Sequence, residues 1–407
     1  MKVWSRPYFP HSPPVLHAFH SIVDKGVATE TQLNLLIFGG NPHADETTFY
    51  LLKEGCKVTY VAAREPMQFN FKKRILEKVK FIKCDRTEVT DDKSACQDLF
   101  LYLLENPNLI FDAVLDFSVK TLSELEPFYE QLSKHAKLYV FKSSYTIYEV
   151  CDIKPSVNLI KEEQGVRPDD IKEGLGAKNA EANELYKIEE FLVQKREEED
   201  GIAYLILRLG DILSERETGS VWKYLIWLKY QETIGLQVSI PQALQTLHTS
   251  YVYIEDVAKL IYDSLNRIDK AVVHDKIYNV GFPEAKTLEE FLFELVIYGI
   301  KDKQILNKKT FTHDPGPIYF PTAKIGAIDT TKVQEDLKFK ATDWVEVLEK
   351  LAKFYFRANG LFEGERNAAV KFLLEDLGMV NEEDSSRIDK LMDRIVTDSK
   401  SKAKEEL

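Results

Sequence analysis

From about residue 33 onwards, the chain alternates short apolar runs with longer stretches that have the residue spacing of amphipathic helices. The short runs are rich in β-branched and aromatic residues, which is typical of strands buried on both faces of a sheet. These runs are LNLLIFGG (33–40), CKVTYVAAR (56–64), VKFIKCD (79–85), FDAVLDFS (111–118), KLYVFKSS (137–144) and AYLILRLGD (203–211). The alternation therefore predicts an α/β protein in which helices cover a parallel sheet.

The same pattern predicts how the chain is divided. Residues 1–30 form a Pro-rich N-terminal extension, and residues 31–215 contain the alternating strands and helices. After residue 215 the alternation loosens, and helical segments such as SVWKYLIWLKYQ predict a smaller lobe over residues 216–360, interleaved with the sheet domain. Residues 361–407 have helical spacing followed by a polar end, so we expect a helical extension with a polar tail.

The composition disfavours one class of function. The chain has a formal net charge of -12, with 29% charged and 44% hydrophobic residues. Nonspecific affinity for nucleic acids comes from Lys and Arg side chains that neutralise phosphates, and no stripe of Arg and aromatic residues is available to stack bases. We therefore expect no nucleic-acid partner.

Cysteine and histidine usage predicts neither a structural metal nor secretion. Four cysteines are scattered without a CxxC pair, and the histidines form no metal-binding motif, which favours reduced thiols and no metal site. The N-terminal residues contain four prolines in MKVWSRPYFPHSPP and no apolar run of signal-peptide length, and nowhere is there an apolar run long enough to span a membrane. The expectation is a cytoplasmic protein without a membrane partner.

A succession of segments resembles the landmarks of the extended short-chain dehydrogenases/reductases, the family of the NAD-dependent epimerases and dehydratases. In chain order they are IFGG, LLKEG, CKVTYVAAR, KCDRTE, DAVLDFS, YVFKSSYTIY, LRLGDIL, SYVYIEDVAKLI, YNVGFPEAKTLEEF and AIDTTKVQEDLKF. The resemblance covers about residues 33–357. It implies a Rossmann-type, doubly wound parallel sheet with a smaller C-terminal substrate lobe.

The resemblance also implies cofactor positions, of which the glycine loop is the least regular. Gly39 and Gly40 match the first part of the family's glycine motif, whereas the later glycine positions carry Pro42 or His43 and then Asp45. A pyrophosphate binds at such a loop because free backbone N–H groups and the helix N-terminus attract anions, and Asp45 would repel it unless the loop is rebuilt. The alternative is a plain tight turn in which Asn41 or Asp45 caps the helix.

Four further residues match cofactor positions of the family. Arg64, at the end of the second strand, stands where an acidic residue would bind a ribose hydroxyl, so NADP is favoured over NAD if any dinucleotide binds. Asp85 matches the position beside the adenine, and Phe117 and Ser118 match the backbone beside the nicotinamide ribose. Each has a structural alternative: an exposed loop arginine, a turn aspartate and a strand end.

The catalytic positions are the most altered. In the family a Tyr and a Lys one helical turn apart transfer the proton and hold the ribose, while an upstream Ser or Thr orients the substrate oxygen. Ser144 matches the hydroxyl position, but Leu175 and Asn179 match the tyrosine and lysine positions. Leucine cannot transfer a proton, so the usual acid/base pair is absent unless Tyr145, Lys178 or a residue of the second lobe replaces it.

Two functions remain open on the sequence. The favoured hypothesis is a catalytically silent relative that binds a small molecule, such as a dinucleotide acting as a regulatory ligand, or a protein partner. The resemblance also implies a homodimer that pairs through two helices, one of which would here be residues 176–195. The alternative is an active, atypical NADP-dependent oxidoreductase or epimerase with another proton donor. Function must be decided from the site, because one fold supports many functions.

Overall fold

The chain from Leu33 to Leu407 forms one compact unit built around a seven-stranded parallel sheet. The computed structural model describes residues 32–89, 93–154, 158–172, 179–198, 201–267, 270–302, 305, 311–379 and 385–405. In spatial order the main sheet consists of β11 (Lys276–Val280), β7 (Ala203–Leu209), β5 (Leu138–Ser144), β4 (Ala113–Asp116), β1 (Asn34–Phe38), β2 (Lys57–Ala62) and β3 (Lys80–Lys83). The strand order reverses between β1 and β4, which is where doubly wound sheets open a crevice for ligands.

Each central strand alternates its side chains between two apolar layers. Leu36 and Phe38 of β1 lie in one layer, and Leu35 and Ile37 lie in the other. Because both layers are covered by helices, the strands are apolar on both faces, as the sequence predicts. The helices, in chain order, are α1 (Pro42–Lys53), α2 (Phe71–Arg74), α3 (Gln97–Glu105), α4 (Leu122–His135), α5 (Asp169–Lys172), α6 (Ala180–Glu197), α7 (Ser220–Ile234), α8 (Ile254–Leu265), α9 (Leu288–Glu294), α10 (Thr331–Asp336), α11 (Trp344–Leu361), α12 (Glu363–Asp376) and α13 (Ser385–Glu405).

A third apolar core lies in the C-terminal half of the chain. It contains the aromatic-rich helix α7, helix α9 with its π-helical continuation Leu295–Ile300, and the C-terminal helices α11 to α13. Short strand pairs complete the fold: β8 (Asp211–Leu213) with β10 (Tyr251–Tyr253), β9 (Val238–Ser239) with β12 (Phe311–Thr312), and β6 (Leu159–Ile160) with β13 (Ala327–Ile328). The domain boundaries at residues 30, 215 and 360 stay predictions.

The α/β class and the doubly wound parallel sheet are confirmed, and the six apolar runs are the strands β1 to β5 and β7. The expectation of four reduced thiols is wrong for one pair, because Cys84 and Cys96 form a disulfide. Cys84 follows β3 and Cys96 precedes α3, and the connection between them returns so that the two Cα atoms are 4.2 Å apart. Among the described residues, no helix combines the length and apolar character needed to cross a membrane.

Candidate functional site

A cleft of about 480 Å³ opens at the carboxyl ends of β1, β4 and β5. We call it the central cleft; its walls come from the loops after these strands, the first turns of α6 and α7, and the loop near Phe320. The lining residues are Gly39, Gly40, Asn41, His43, Phe117, Ser118, Val119, Lys120, Lys142, Ser144, Thr146, Asn179, Glu181, Leu185, Leu209, Gly210, Asp211, Ile212, Glu217, Ser220, Phe320 and Thr322. The structure therefore brings Gly39, Gly40, Phe117, Ser118, Ser144 and Asn179 to one cleft, whereas Arg64 and Asp85 do not line it.

The glycine pair makes room for a tyrosine of the neighbouring strand. A Cβ atom at Gly39 would lie 2.1 Å from the hydroxyl oxygen of Tyr60, so only glycine fits beside this fully buried ring. Gly40 has φ of 95°, a left-handed conformation that glycine adopts without strain. Its N–H donates to the Tyr60 hydroxyl at 2.8 Å. The two glycines are thus explained by contacts within the protein.

Two further N–H groups of the loop are bonded within the protein, whereas among the described residues those of Asn41 and His43 have no hydrogen-bond partner. Asn41 caps α1, because its side-chain oxygen accepts a hydrogen bond from the N–H of Ala44. Pro42 has no N–H, and the N–H of Asp45 donates to the carbonyl of Asn41. A pyrophosphate is held by free N–H groups at this point of the fold. With the N–H groups of Gly40, Ala44 and Asp45 bonded internally and none at Pro42, the loop offers a pyrophosphate few free donors.

Asp45 points into the protein. Its carboxylate accepts a hydrogen bond from the hydroxyl of Tyr60, and its side chain is 7% exposed. Burial is the main reason that the pKa of Asp45 rises from 3.8 to about 7; the Tyr60 hydrogen bond opposes the rise, and neighbouring Glu46 adds to it. The carboxylate of Asp45 therefore does not face a phosphate site at the surface of the loop, as the sequence led us to expect. It binds the Tyr60 hydroxyl instead, and this hydroxyl also accepts the hydrogen bond of the Gly40 N–H.

The side of the crevice where an adenine would lie is altered too. Asp85 accepts hydrogen bonds from the N–H and the hydroxyl of Thr87, so it forms a turn. Arg64 is exposed, and within the described ranges its guanidinium contacts no partner. Arg86, which the sequence did not single out, lies beside Phe38 at the end of β1 and forms a bidentate ion pair with Asp116 at 2.6 and 2.8 Å.

Phe117 and Ser118 follow β4 and line the central cleft. The carbonyl of Phe117 accepts a hydrogen bond from the side-chain amide of Asn41, and the hydroxyl of Ser118 accepts one from Arg86. Both strand-end groups are therefore tied to neighbouring loops.

The catalytic positions do not assemble a tyrosine–lysine pair. Ser144 lines the cleft, and its hydroxyl oxygen accepts a hydrogen bond from the N–H of Thr146. Leu175, matched to the tyrosine, lies outside the described residues. Asn179, matched to the lysine, is the N-cap of α6 and donates to Glu149. The two residues of α6 that line the cleft one helical turn apart are Glu181 and Leu185, not a tyrosine and a lysine.

Of the replacement proton donors named from the sequence, Tyr145 is bonded within the protein. The Tyr145 hydroxyl is buried, donates to Asp211 at 2.9 Å and accepts from the N–H of Ala323 at 3.3 Å. Burial and the charge of Asp211 raise the pKa of Tyr145 well above its usual value. Tyr186 donates to the carbonyl of Gly165, and Lys178 lies outside the described residues.

Two cationic residues of the cleft escaped the sequence interpretation. Lys142 lies on β5 two residues before Ser144, and Lys120 follows β4. The run YVFKSS could have revealed Lys142, because a charged residue interrupts an otherwise apolar strand there. Lys142 and Ser144 lie on the same face of β5, because side chains alternate along a strand. Burial lowers the pKa of Lys142, although Glu181 partly offsets this effect.

Solved structures with the same fold come from sugar-nucleotide epimerases. UDP-glucose 4-epimerase from Thermotoga maritima, solved with UDP-glucose, is 14% identical with a TM-score of 0.58, and the alignment covers 79% of this chain and 98% of the epimerase. UDP-glucose 4-epimerase from Thermus thermophilus, solved with NAD, is 16% identical with a TM-score of 0.57, over 79% and 99% of the two chains. UDP-glucuronic acid 4-epimerase from Bacillus cereus is 15% identical with a TM-score of 0.54, over the same shares.

At the level of sequence, no protein-family model and no curated protein matches the chain. Identities of 14 to 16% support a conclusion about fold alone. The chain therefore has the fold of the extended short-chain dehydrogenases/reductases, in agreement with the resemblance seen in its sequence.

Proposed function

We propose that the protein is a catalytically silent relative of the nicotinamide-dependent epimerases, and that its fold serves to bind a small molecule in the central cleft. The observation that carries this proposal is the internal bonding of the glycine loop. The Tyr60 hydroxyl occupies the N–H of Gly40, Asn41 occupies that of Ala44, and Pro42 contributes none. A dinucleotide would have to break these bonds without an evident gain.

The catalytic positions support the same proposal. A proton-transfer residue must reach the substrate and have a pKa near the operating pH. Glu181, Leu185 and Asn179 face the cleft from α6, and none of them reproduces a phenol beside an ammonium group. Ser144 remains in place, but a serine that orients a substrate oxygen does not transfer the proton by itself.

The volume of the cleft favours a small-molecule ligand over a protein partner at this site. Its 480 Å³ lies within the range of small-molecule pockets. Its walls combine six apolar side chains with a larger number of polar and charged ones. Cytoplasmic location and the lack of a nucleic-acid partner remain part of the proposal. Homodimerisation remains so too, although the outer face of α4 and α6 carries ion pairs such as Lys187–Glu184.

Titration with NADH and NADPH tests the proposal. We expect the natural protein to show neither binding heat nor enhanced nucleotide fluorescence at micromolar concentrations. A variant that combines Pro42→Gly, Asp45→Gly and Tyr60→Phe is expected to gain measurable affinity, because it frees the Gly40 N–H and restores a donor at residue 42. Its folding is checked by circular dichroism before the titration.

Micromolar binding by the natural protein would refute the proposal that the loop is closed to a dinucleotide. Two alternatives would then remain, the atypical oxidoreductase and a silent relative that binds a dinucleotide as a regulatory ligand. In that case Arg64 provides the next comparison. If NADPH binds more tightly than NADH and Arg64→Met abolishes the difference, the exposed guanidinium recognises the 2′-phosphate, as the position of Arg64 after β2 suggests.

A further inference from the structure

The central cleft contains two ammonium groups without a counter-ion. Lys142 is half-buried on β5 and Lys120 is exposed after β4. Among the residues that the structure describes, neither ammonium group forms a hydrogen bond or an ion pair. The protein is acidic overall, and many of its other lysines do pair with carboxylates, for example Lys223 with Asp376 at 2.9 Å. Two unpaired lysines in one cleft therefore need another explanation.

Their mutual electrostatics favour an anion between them. Burial has the largest effect on the pKa of Lys142 and lowers it. Glu181, exposed at the first turn of α6, has the next largest effect and raises this pKa, and Lys120 has a smaller effect and lowers it. An anion within reach of both ammonium groups would relieve the repulsion and favour the charged form of Lys142.

The surroundings of Lys142 supply the other parts of a binding site. Ser144 projects on the same side of β5, and its hydroxyl accepts from Thr146, which leaves the O–H free to donate. Leu185 and Phe320 provide apolar wall. The carboxylates of Glu217 and Asp211 also line the cleft, and Asp211 is held by hydrogen bonds from Tyr145 and Thr322.

We propose that Lys142 and Lys120 bind the phosphate group of a small phosphomonoester, with Ser144 donating a hydrogen bond and the organic part of the ligand lying against Leu185. Two ammonium groups match the charge of a phosphate dianion, and lysine binds phosphate as a compact point charge. This proposal rests on the proposed function, because it places the ligand in the cleft that a dinucleotide would otherwise enter.

Calorimetric titration with phenyl phosphate tests the site, with benzoate as a probe of similar size and single charge. We expect phenyl phosphate to bind, benzoate to bind at least about tenfold more weakly, and the affinity for phenyl phosphate to fall as salt is added. Lys142→Met and Lys120→Met should each weaken phenyl phosphate binding about tenfold or more, corresponding to the loss of one charge-assisted contact. Inorganic phosphate should compete with phenyl phosphate.

Lys57→Met is the matched control. Lys57 is exposed at the amino end of β2 and does not line the central cleft, which lies at the carboxyl ends of the strands, so its loss should leave the affinity unchanged. The inference is overturned if phenyl phosphate does not bind, or if Lys142→Met binds as tightly as the natural protein. NADH is titrated in parallel: micromolar NADH binding contradicts the proposed function itself, whereas absent NADH binding together with absent phosphate binding contradicts the phosphate site alone.

Discussion

Replacing Arg86 with methionine is expected to lower the free energy of unfolding by about 3–5 kcal/mol, the usual cost of removing one partner of a buried ion pair. The guanidinium and the carboxylate of Asp116 are both buried and joined by two hydrogen bonds at 2.6 and 2.8 Å. Without Arg86, the carboxylate keeps donors from Tyr139 and from the N–H groups of Ser118 and Val119, but loses its counter-charge.

The position of this pair explains why the loss matters for the site as well as for stability. Arg86 follows β3 in the sequence. Its guanidinium lies 4.2 Å from the ring centroid of Phe38 at the end of β1 and forms the ion pair with Asp116 at the end of β4. It thus connects the two strands that flank the point of reversal in the sheet. Arg86 also donates a hydrogen bond to the hydroxyl of Ser118, which lines the central cleft.

Equilibrium unfolding in urea measures the effect of Arg86→Met, and Arg64→Met is the control. Arg64 is exposed, so its replacement should change the free energy of unfolding by less than about 0.5 kcal/mol. Arg86→Lys should fall between the two, because a lysine keeps the charge but not the bidentate geometry. A loss below about 1 kcal/mol for Arg86→Met would show that the pair does not stabilise the fold.

The sheet could be predicted from the sequence because its strands β1 to β5 and β7 are short, mostly apolar runs, such as NLLIF in β1, that lack the spacing of an amphipathic helix. β11 was not predicted as a strand: its residues KIYNV include a lysine and an asparagine, and it lies at the edge of the sheet. Asn279 is buried in this strand, and its side-chain amide donates a hydrogen bond to the carbonyl of Ile160 in a distant part of the chain. This hydrogen bond compensates for the burial of the polar side chain. Sequence periodicity carries no information about such a partner.

The loop after β1 shows the same limit at the candidate site. The sequence identified Gly39, Gly40 and Asp45 as the residues that decide whether a phosphate binds. What determines their role is Tyr60, one strand away, whose hydroxyl accepts from Gly40 and donates to Asp45. In the sequence Tyr60 is an ordinary aromatic residue of an apolar strand. Only the pairing of β1 with β2 places its hydroxyl under the loop.

Replacing Asp45 with asparagine is expected to stabilise the protein by about 2–4 kcal/mol at pH 8 and to have little effect near pH 4. Burial raises the pKa of Asp45 from 3.8 to about 7. Between these values the folded protein holds a proton that the unfolded chain releases, so the stability of the natural protein falls as the pH rises through this range. Each pKa unit corresponds to about 1.4 kcal/mol, which sets the upper end of the gain.

Asparagine cannot ionise, and its side-chain oxygen can still accept the hydrogen bond from Tyr60. Urea unfolding of both proteins between pH 4 and pH 8 measures the difference, which should grow with pH and level off above about pH 7. Asp98→Asn, at an exposed residue of the first turn of α3, provides the control and should show no comparable gain at high pH. A stability difference for Asp45→Asn that does not change with pH would mean that the carboxylate is not held in a desolvated site. The loop would then be open enough for water, and for a phosphate, to reach it.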